Sequence, residues 1–169
     1  ALPAAMAYAK LGLSGMARQS DWQSTWCRLR RRVGSRTGWI AVAYADGDEC
    51  GAPEVEEIVR AGIETGCVGV LIDTWCKQSG DLLNHLDPQR LAGIRRRTKD
   101  AGLLLALAGR IGPETLGSVL ACQPDVVAVR SAACRGGDRN QDVAAEAVAE
   151  LSEQLRLATI VGPGHRRAG

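Results

Sequence analysis

Five short apolar runs punctuate the chain: Ala7–Leu13, Trp39–Ala45, Gly69–Thr74, Leu103–Ala108 and Val126–Val129. Their starts lie 32, 30, 34 and 23 residues apart, the period of a strand followed by a crossover helix. The runs are continuously apolar rather than alternating, as expected of parallel strands covered on both faces. Between them the pattern changes to a helical one. Trp22, Trp26, Leu29 and Val33 share one helical face, which predicts a helix capped by Ser20 and ending near Val33. Pro53 fits the first turn of a second helix, with Val55, Ile58, Val59 and Ile63 inward and Glu54, Glu56 and Glu57 at its positive end. Asp87 and Pro88 open a third, which runs to about Asp100 and is ended by Gly102. Pro113 opens another that reaches Cys122, and a last one spans about Gln141 to Leu157. Asp81–Leu86 reads as a short extra helix after the third strand. No internal linker interrupts the series, so residues 1–169 read as one domain with a frayed tail, Gly162–Gly169.

Five such units fit either a complete doubly wound sheet or part of a (β/α)8 barrel. The length of 169 residues favours the former, because a barrel usually needs about 250. Both architectures place function at the carboxyl ends of the strands and in the loops that follow. That rule selects Lys10 on the first strand, Tyr44-Ala45-Asp46 after the second, and Asp73 with Lys77 after the third. It also selects Gly109-Arg110 after the fourth, and Arg130-Ser131 with the stretch through Gly136-Gly137-Asp138-Arg139-Asn140 after the fifth.

Composition narrows the function. With 46% hydrophobic and 24% charged residues, the chain has an ordinary globular make-up. A formal charge of +2 argues against a nucleic-acid groove or a polybasic membrane anchor. No apolar run is long enough to span a bilayer, and the first residues lack a secretory pattern. The six cysteines form no C-x-x-C and pair with no histidine at zinc spacing, so a reduced, cytoplasmic protein without a metal site is expected. Cys50 and Cys76 are candidate reactive thiols, though an inert role is favoured for each.

The basic residues are more telling. Only Lys10, Lys77 and Lys99 are lysines; the other 18 of the 21 basic residues are arginine. Arginine stays protonated, whereas a partly desolvated lysine can act as a base or attack a carbonyl. Lys10 and Lys77 fall at strand ends, and Lys99 reads as surface. The competing reading is structural: Lys10 paired with a carboxylate on a neighbouring strand, and Asp73–Lys77 a solvated ion pair worth under about 1 kcal/mol. Gly109 and Gly136-Gly137, with Arg130, Arg135 and Arg139, form a candidate phosphate cradle. No Walker or G-x-G-x-x-G signature supports a nucleotide. Arg28, Arg30–Arg32 and Arg95–Arg97 read as solvated helix ends. His85 and His165 lack ligand partners, and Ser131 has no histidine near it in sequence.

Several of these pieces recur together in a known family. Ala43-Tyr44-Ala45-Asp46, Leu71-Ile72-Asp73-Thr74 with Lys77, Ala106-Leu107-Ala108-Gly109, and Val129 to Cys134 with Gly137-Asp138-Arg139-Asn140 stand in one order and spacing. With Tyr8-Ala9-Lys10-Leu11-Gly12-Leu13, they resemble the (5-formylfuran-3-yl)methyl phosphate synthases of methanofuran biosynthesis, over about Tyr8 to Asn140. The resemblance implies a (β/α)8 barrel of which this chain supplies strands four to eight. It implies a lyase-type condensation of two glyceraldehyde 3-phosphate molecules into a phosphorylated furan aldehyde, with loss of phosphate and water. It makes Lys10 the proton-accepting lysine, and Asp73 and Lys77 the other active-site acid and lysine. Asp46 would orient a lysine or a substrate hydroxyl. The phosphate region would comprise Gly109, Arg130, Ser131, Gly136, Gly137, Asp138 and Arg139. The Schiff-base lysine belongs to the family's second strand and matches no residue here, so residues 1–169 alone are expected to turn over little or nothing. No cofactor is called for, and the partner is a small phosphorylated aldehyde rather than nucleic acid or membrane. The sheet edges left open allow a homo-oligomer. Ser131 stands where the family usually has Gly, and Arg110 where it has a small hydroxyl residue. Two alternatives stay open: another lysine-dependent (β/α)8 enzyme on a phosphorylated aldehyde, and a non-catalytic piece that needs a partner chain.

Overall fold

The computed structural model describes residues 6–33, 37–76 and 78–161. Lys77 and the expected tail Gly162–Gly169, with His165, lie outside the described residues.

The strands are β1 (Tyr8–Gly12), β2 (Gly38–Tyr44), β3 (Gly69–Asp73), β4 (Leu104–Leu107) and β5 (Val126–Val127). The helices are α1 (Trp22–Val33), α2 (Val55–Glu64), α3 (Leu82–His85), α4 (Pro88–Asp100), α5 (Pro113–Ala121) and α6 (Ala145–Val161). All neighbouring strands pair in parallel, in the sequential order β1-β2-β3-β4-β5. A doubly wound sheet reverses its strand order at a switch point. This sheet does not, so the doubly wound expectation drawn from length is incorrect. A sequential parallel order keeps every crossover on the same side, as in an arc of a barrel.

That winding makes the two faces unequal. Ala41, Ala43, Val70, Ile72, Leu105 and Leu107 point to the helices and are fully buried. They pack with Trp22 and Trp26 of α1, Ile58 of α2, Leu91 and Ile94 of α4, Leu116 and Val119 of α5, and Leu151 of α6 in one core. The inner face has only a small cluster of Val42, Leu71 and Ala108, flanked by Ile40, Tyr44 and Ala106. Tyr8, Leu104 and Val126 on that face are exposed. Cover on both faces, expected from the continuous apolar runs, is therefore confined to the centre of the sheet.

Several element boundaries shift for local reasons. The buried stripe of α1 is Trp22, Trp26 and Arg30, and Leu29 is exposed. α2 begins at Val55 with Glu54 before it, so Pro53 lies outside its first turn. At α4 the Asp87 carboxylate accepts the Arg90 amide at 2.8 Å, and Pro88 occupies the first turn, as expected. The short α3 carries a full capping box between Asp81 and Asn84. β5 ends at Val127, and α6 starts at Ala145 rather than Gln141. The preceding residues instead form an antiparallel bridge, Val143 to Cys134, with the Ala144 amide donating to the Ala133 carbonyl at 2.9 Å.

Candidate active site

Register fixes which side chains share the inner face. Lys10 pairs with Ile40, Gly12 with Val42, Val42 with Leu71, and Tyr44 with Asp73. Side chains alternate along a strand, so Lys10, Gly12, Tyr44 and Asp73 all face inward. Lys10 is exposed and lies in the middle of β1 rather than at its end. Asp73 closes β3, and one of its oxygens accepts the Thr74 amide at 2.8 Å. Tyr44 closes β2, and its ring extends over Gly12 of the neighbouring strand. A Cβ added at Gly12 would collide with the Tyr44 Oη and lie 2.9 Å from Cζ. The glycine two residues beyond Lys10 thus makes the space that the phenol occupies.

Asp46 is engaged by the loop that follows β3. It is almost wholly buried at 1% exposure. Oδ1 accepts the Trp75 amide at 2.7 Å, and Oδ2 accepts the Cys76 amide at 2.8 Å and the Ser79 hydroxyl at 3.4 Å. Burial pushes this carboxyl up, but the amides of Trp75, Cys76 and Asp46 itself, with His85 nearby, outweigh it and hold the pKa below the usual value. Asp46 therefore holds the segment on either side of Lys77 in place. Ser79 continues the network, with its Oγ 3.4 Å from His85 Nε2. His85 reads from sequence as a residue without a ligand partner, and Ser79 reaches it only once the loop is folded.

The loops after β4 and β5 hold the candidate phosphate residues. Gly109 is buried with φ +106°, and a Cβ there would come within 2.9 Å of Thr74 Cγ2. Only glycine fits both the backbone conformation and the approach of the β3 loop. Arg110 follows in the left-handed region at φ 52°. It borders a cavity of about 550 Å³ with Gln78, Asp81, Asn84, Gly112 and Glu114. After β5, Ser131–Ala133 and Arg135–Gly137 form tight helical turns, with Gly136 and Gly137 at φ +63° and +72°. Arg130 Nη2 donates to the Arg139 carbonyl at 3.2 Å, and Asp138 Oδ1 accepts the Asn140 amide at 2.9 Å. Gly136, Gly137, Asp138 and Arg139 are exposed, as is Arg130, while Ser131 is half-buried.

Two arginines read from sequence as solvated are not. Arg30 is 8% exposed, with its Cζ 4.7 Å from the Trp26 ring centroid and 5.9 Å from that of Trp39. It donates to the Thr65 hydroxyl at 2.7 Å and the Thr65 carbonyl at 3.2 Å. Arg95 donates to both oxygens of Asp125, at 2.6 and 3.1 Å. In both cases a partner distant in sequence draws the guanidinium inward. Cys67, Cys122 and Cys134 are buried, and burial pushes the Cys67 and Cys122 thiols up in pKa. Burial is also the largest influence on Cys50, whose thiol is raised. A raised thiol is a weaker nucleophile at neutral pH. No described helix is long and apolar enough to cross a membrane.

A family profile described as 4-HFC-P synthase matches residues 1–152. The chain is 36% identical over 151 residues to the (5-formylfuran-3-yl)methyl phosphate synthase of Methanothermobacter thermautotrophicus, covering 88% of this chain and 64% of that protein. It is 30% identical over 152 residues to the synthase of the same name from Methanopyrus kandleri, again covering 88% and 64%. Against the Methanococcus aeolicus synthase it is 35% identical over 116 residues, 69% of this chain and 48% of the relative. The chain thus spans about half to two-thirds of these relatives' length. Matched along nearly all of its length by the profile, and at this identity by named synthases, the chain belongs to the 4-HFC-P synthase family.

Proposed function

We propose that this chain is the carboxyl-terminal portion of a (5-formylfuran-3-yl)methyl phosphate synthase, contributing strands four to eight of a (β/α)8 barrel. The match to relatives of that name over most of the chain carries the reading. The sequential parallel sheet and the inward placement of Lys10 and Asp73 support it.

The reaction joins two glyceraldehyde 3-phosphate molecules and releases phosphate and water, a lyase-type conversion in the cytoplasm. One substrate must become an enamine or enol, which attacks the aldehyde carbon of the other; the carbonyl electrons then pass to oxygen. Lys10 accepts a proton from a substrate carbon or hydroxyl, and Asp73 with Lys77 shuttles protons in the eliminations that follow. Asp46 holds the amides of Trp75 and Cys76 and the hydroxyl of Ser79 in the loop that follows Asp73. Backbone amides around Gly109, Gly136 and Gly137, with Ser131, Arg130 and Arg139, seat phosphate; Asp138 shapes the second of these loops through Asn140. The iminium-forming lysine comes from the part of the protein that precedes these strands.

The test is made with the protein encoded by this sequence together with the coding sequence upstream of it. Three further βα units with a lysine on the second are expected there. That protein should convert glyceraldehyde 3-phosphate to a furan aldehyde, seen by its ultraviolet absorbance, and release inorganic phosphate. Residues 1–169 alone should give little or no product. Failure of the longer protein to form the furan would overturn the reading.

A further inference from the structure

The reactions proposed above place negative charge on an aldehyde oxygen as the carbon–carbon bond forms. A hydrogen-bond donor fixed beside that oxygen would speed the step. Neither Lys10, assigned as a base, nor Asp73 is suited to the task.

The inner face holds another polar group at the same level as Asp73. Tyr44 is the last residue of β2, in register with Asp73. Its phenol lies over Gly12, two residues beyond Lys10, and Trp75 meets its ring edge-on with centroids 5.3 Å apart. The ring therefore has a fixed place between the strand of Lys10 and the strand of Asp73. That place puts a hydroxyl, which can donate a hydrogen bond, on the face that carries Lys10 and Asp73. Burial is the largest influence on its acidity, followed by Cys50, Asp73 and Asp46, and all of them push the pKa above the usual value for tyrosine. The phenol thus stays protonated, and remains a donor, throughout the neutral range.

We infer that Tyr44 is a further catalytic residue: its hydroxyl donates a hydrogen bond to the aldehyde oxygen of the attacked substrate as that oxygen takes up the carbonyl electron pair. No proton is transferred in the step; the carbon–carbon bond forms, the carbonyl π bond breaks, and the O–H group stabilises the resulting alkoxide. This assignment rests on the synthase reading of the site.

The experiment compares Tyr44→Phe with the unaltered protein, both carrying the upstream sequence, with glyceraldehyde 3-phosphate as substrate. Phenylalanine keeps the ring over Gly12 and against Trp75, so the melting temperature should stay within a few degrees. The expected result is a fall in kcat of roughly 100-fold with KM changed little, the pattern of a contact made in the transition state. Gly12→Ala, which retains the hydroxyl but displaces the phenol, should slow the unaltered protein and add little in the Tyr44→Phe background, because both changes remove one interaction. An active parent with an equally active Tyr44→Phe would overturn the role of Tyr44 alone. A parent inactive on this substrate would instead overturn the synthase reading, and the Tyr44 assignment with it.

Discussion

The two faces of the sheet use the same five strands for different ends. Toward the helices stand Ala41, Ala43, Val70, Ile72, Leu105 and Leu107, all fully buried and all apolar. Toward the interior stand Lys10, Gly12, Tyr44 and Asp73, among a few small or aliphatic neighbours. Because side chains alternate along each strand, one residue can serve stability and the next chemistry without either compromising the other. The helix-facing set should govern folding, and the interior set turnover.

Substitutions should separate the two sets. After Lys10, the largest effect is expected for Asp73→Asn, which keeps size and the acceptor toward Thr74 but removes the charge. In the protein that carries the upstream sequence, and on the proposed reaction, turnover of glyceraldehyde 3-phosphate should fall by about 10²–10⁴-fold, the usual range for a lost acid–base group, with little change in melting temperature. On the opposite face, Ile72→Ala should cost about 2–5 kcal/mol in denaturant unfolding. Comparable destabilisation by Asp73→Asn would blur the division.

Asp46 joins the two behaviours. In Asp46→Asn one side-chain position can only donate, yet it would face a backbone N–H of Trp75 or Cys76. A loss of about 1–3 kcal/mol is expected, together with faster proteolysis in the 75–79 loop. Acid should act on the same carboxylate and on Asp125. At Asp125 burial raises the pKa, but the bond from Arg95 and the Leu105 amide at 2.8 Å outweigh it and leave it lowered. A carboxyl with a lowered folded pKa stabilises the protein above its unfolded value, about 3.9, and loses that contribution as pH falls through the folded value. Melting temperature should therefore drop on acidification below about pH 4, and less steeply in the Asp46→Asn, Asp125→Asn double variant. The smallest effect is expected at Arg90 and Glu56, paired at 2.9 Å with both side chains more than two-fifths exposed. Arg90→Ala should change stability by less than about 1 kcal/mol.

Much of this division is legible along the chain. The apolar runs locate all five strands, because buried parallel strands need no alternation, and the Asp87-Pro88 pair marks α4 because its cap is local. The three lysines draw attention to Lys10 for a chemical reason independent of fold. What the sequence hides depends on contacts across it. Arg30 is buried because Trp26, Trp39 and Thr65 meet around it, and nothing within the arginine-rich stretch announces that. Asp46 reads as a residue that orients a lysine or a substrate hydroxyl, and the amides its buried carboxylate accepts lie 29 and 30 residues away, beyond the reach of local pattern. Tyr44 falls at the second strand's end, and the place its ring takes depends on Gly12 of the neighbouring strand. The doubly wound alternative failed because length carries no information on strand order.

Lys10→Arg decides whether the inner face performs proton transfer. Arginine keeps the positive charge on the inner face but does not accept a proton near neutral pH. Measured with glyceraldehyde 3-phosphate in the protein that carries the upstream sequence, furan formation should disappear while the melting temperature stays within a few degrees of the parent. Full turnover in that variant would contradict the account.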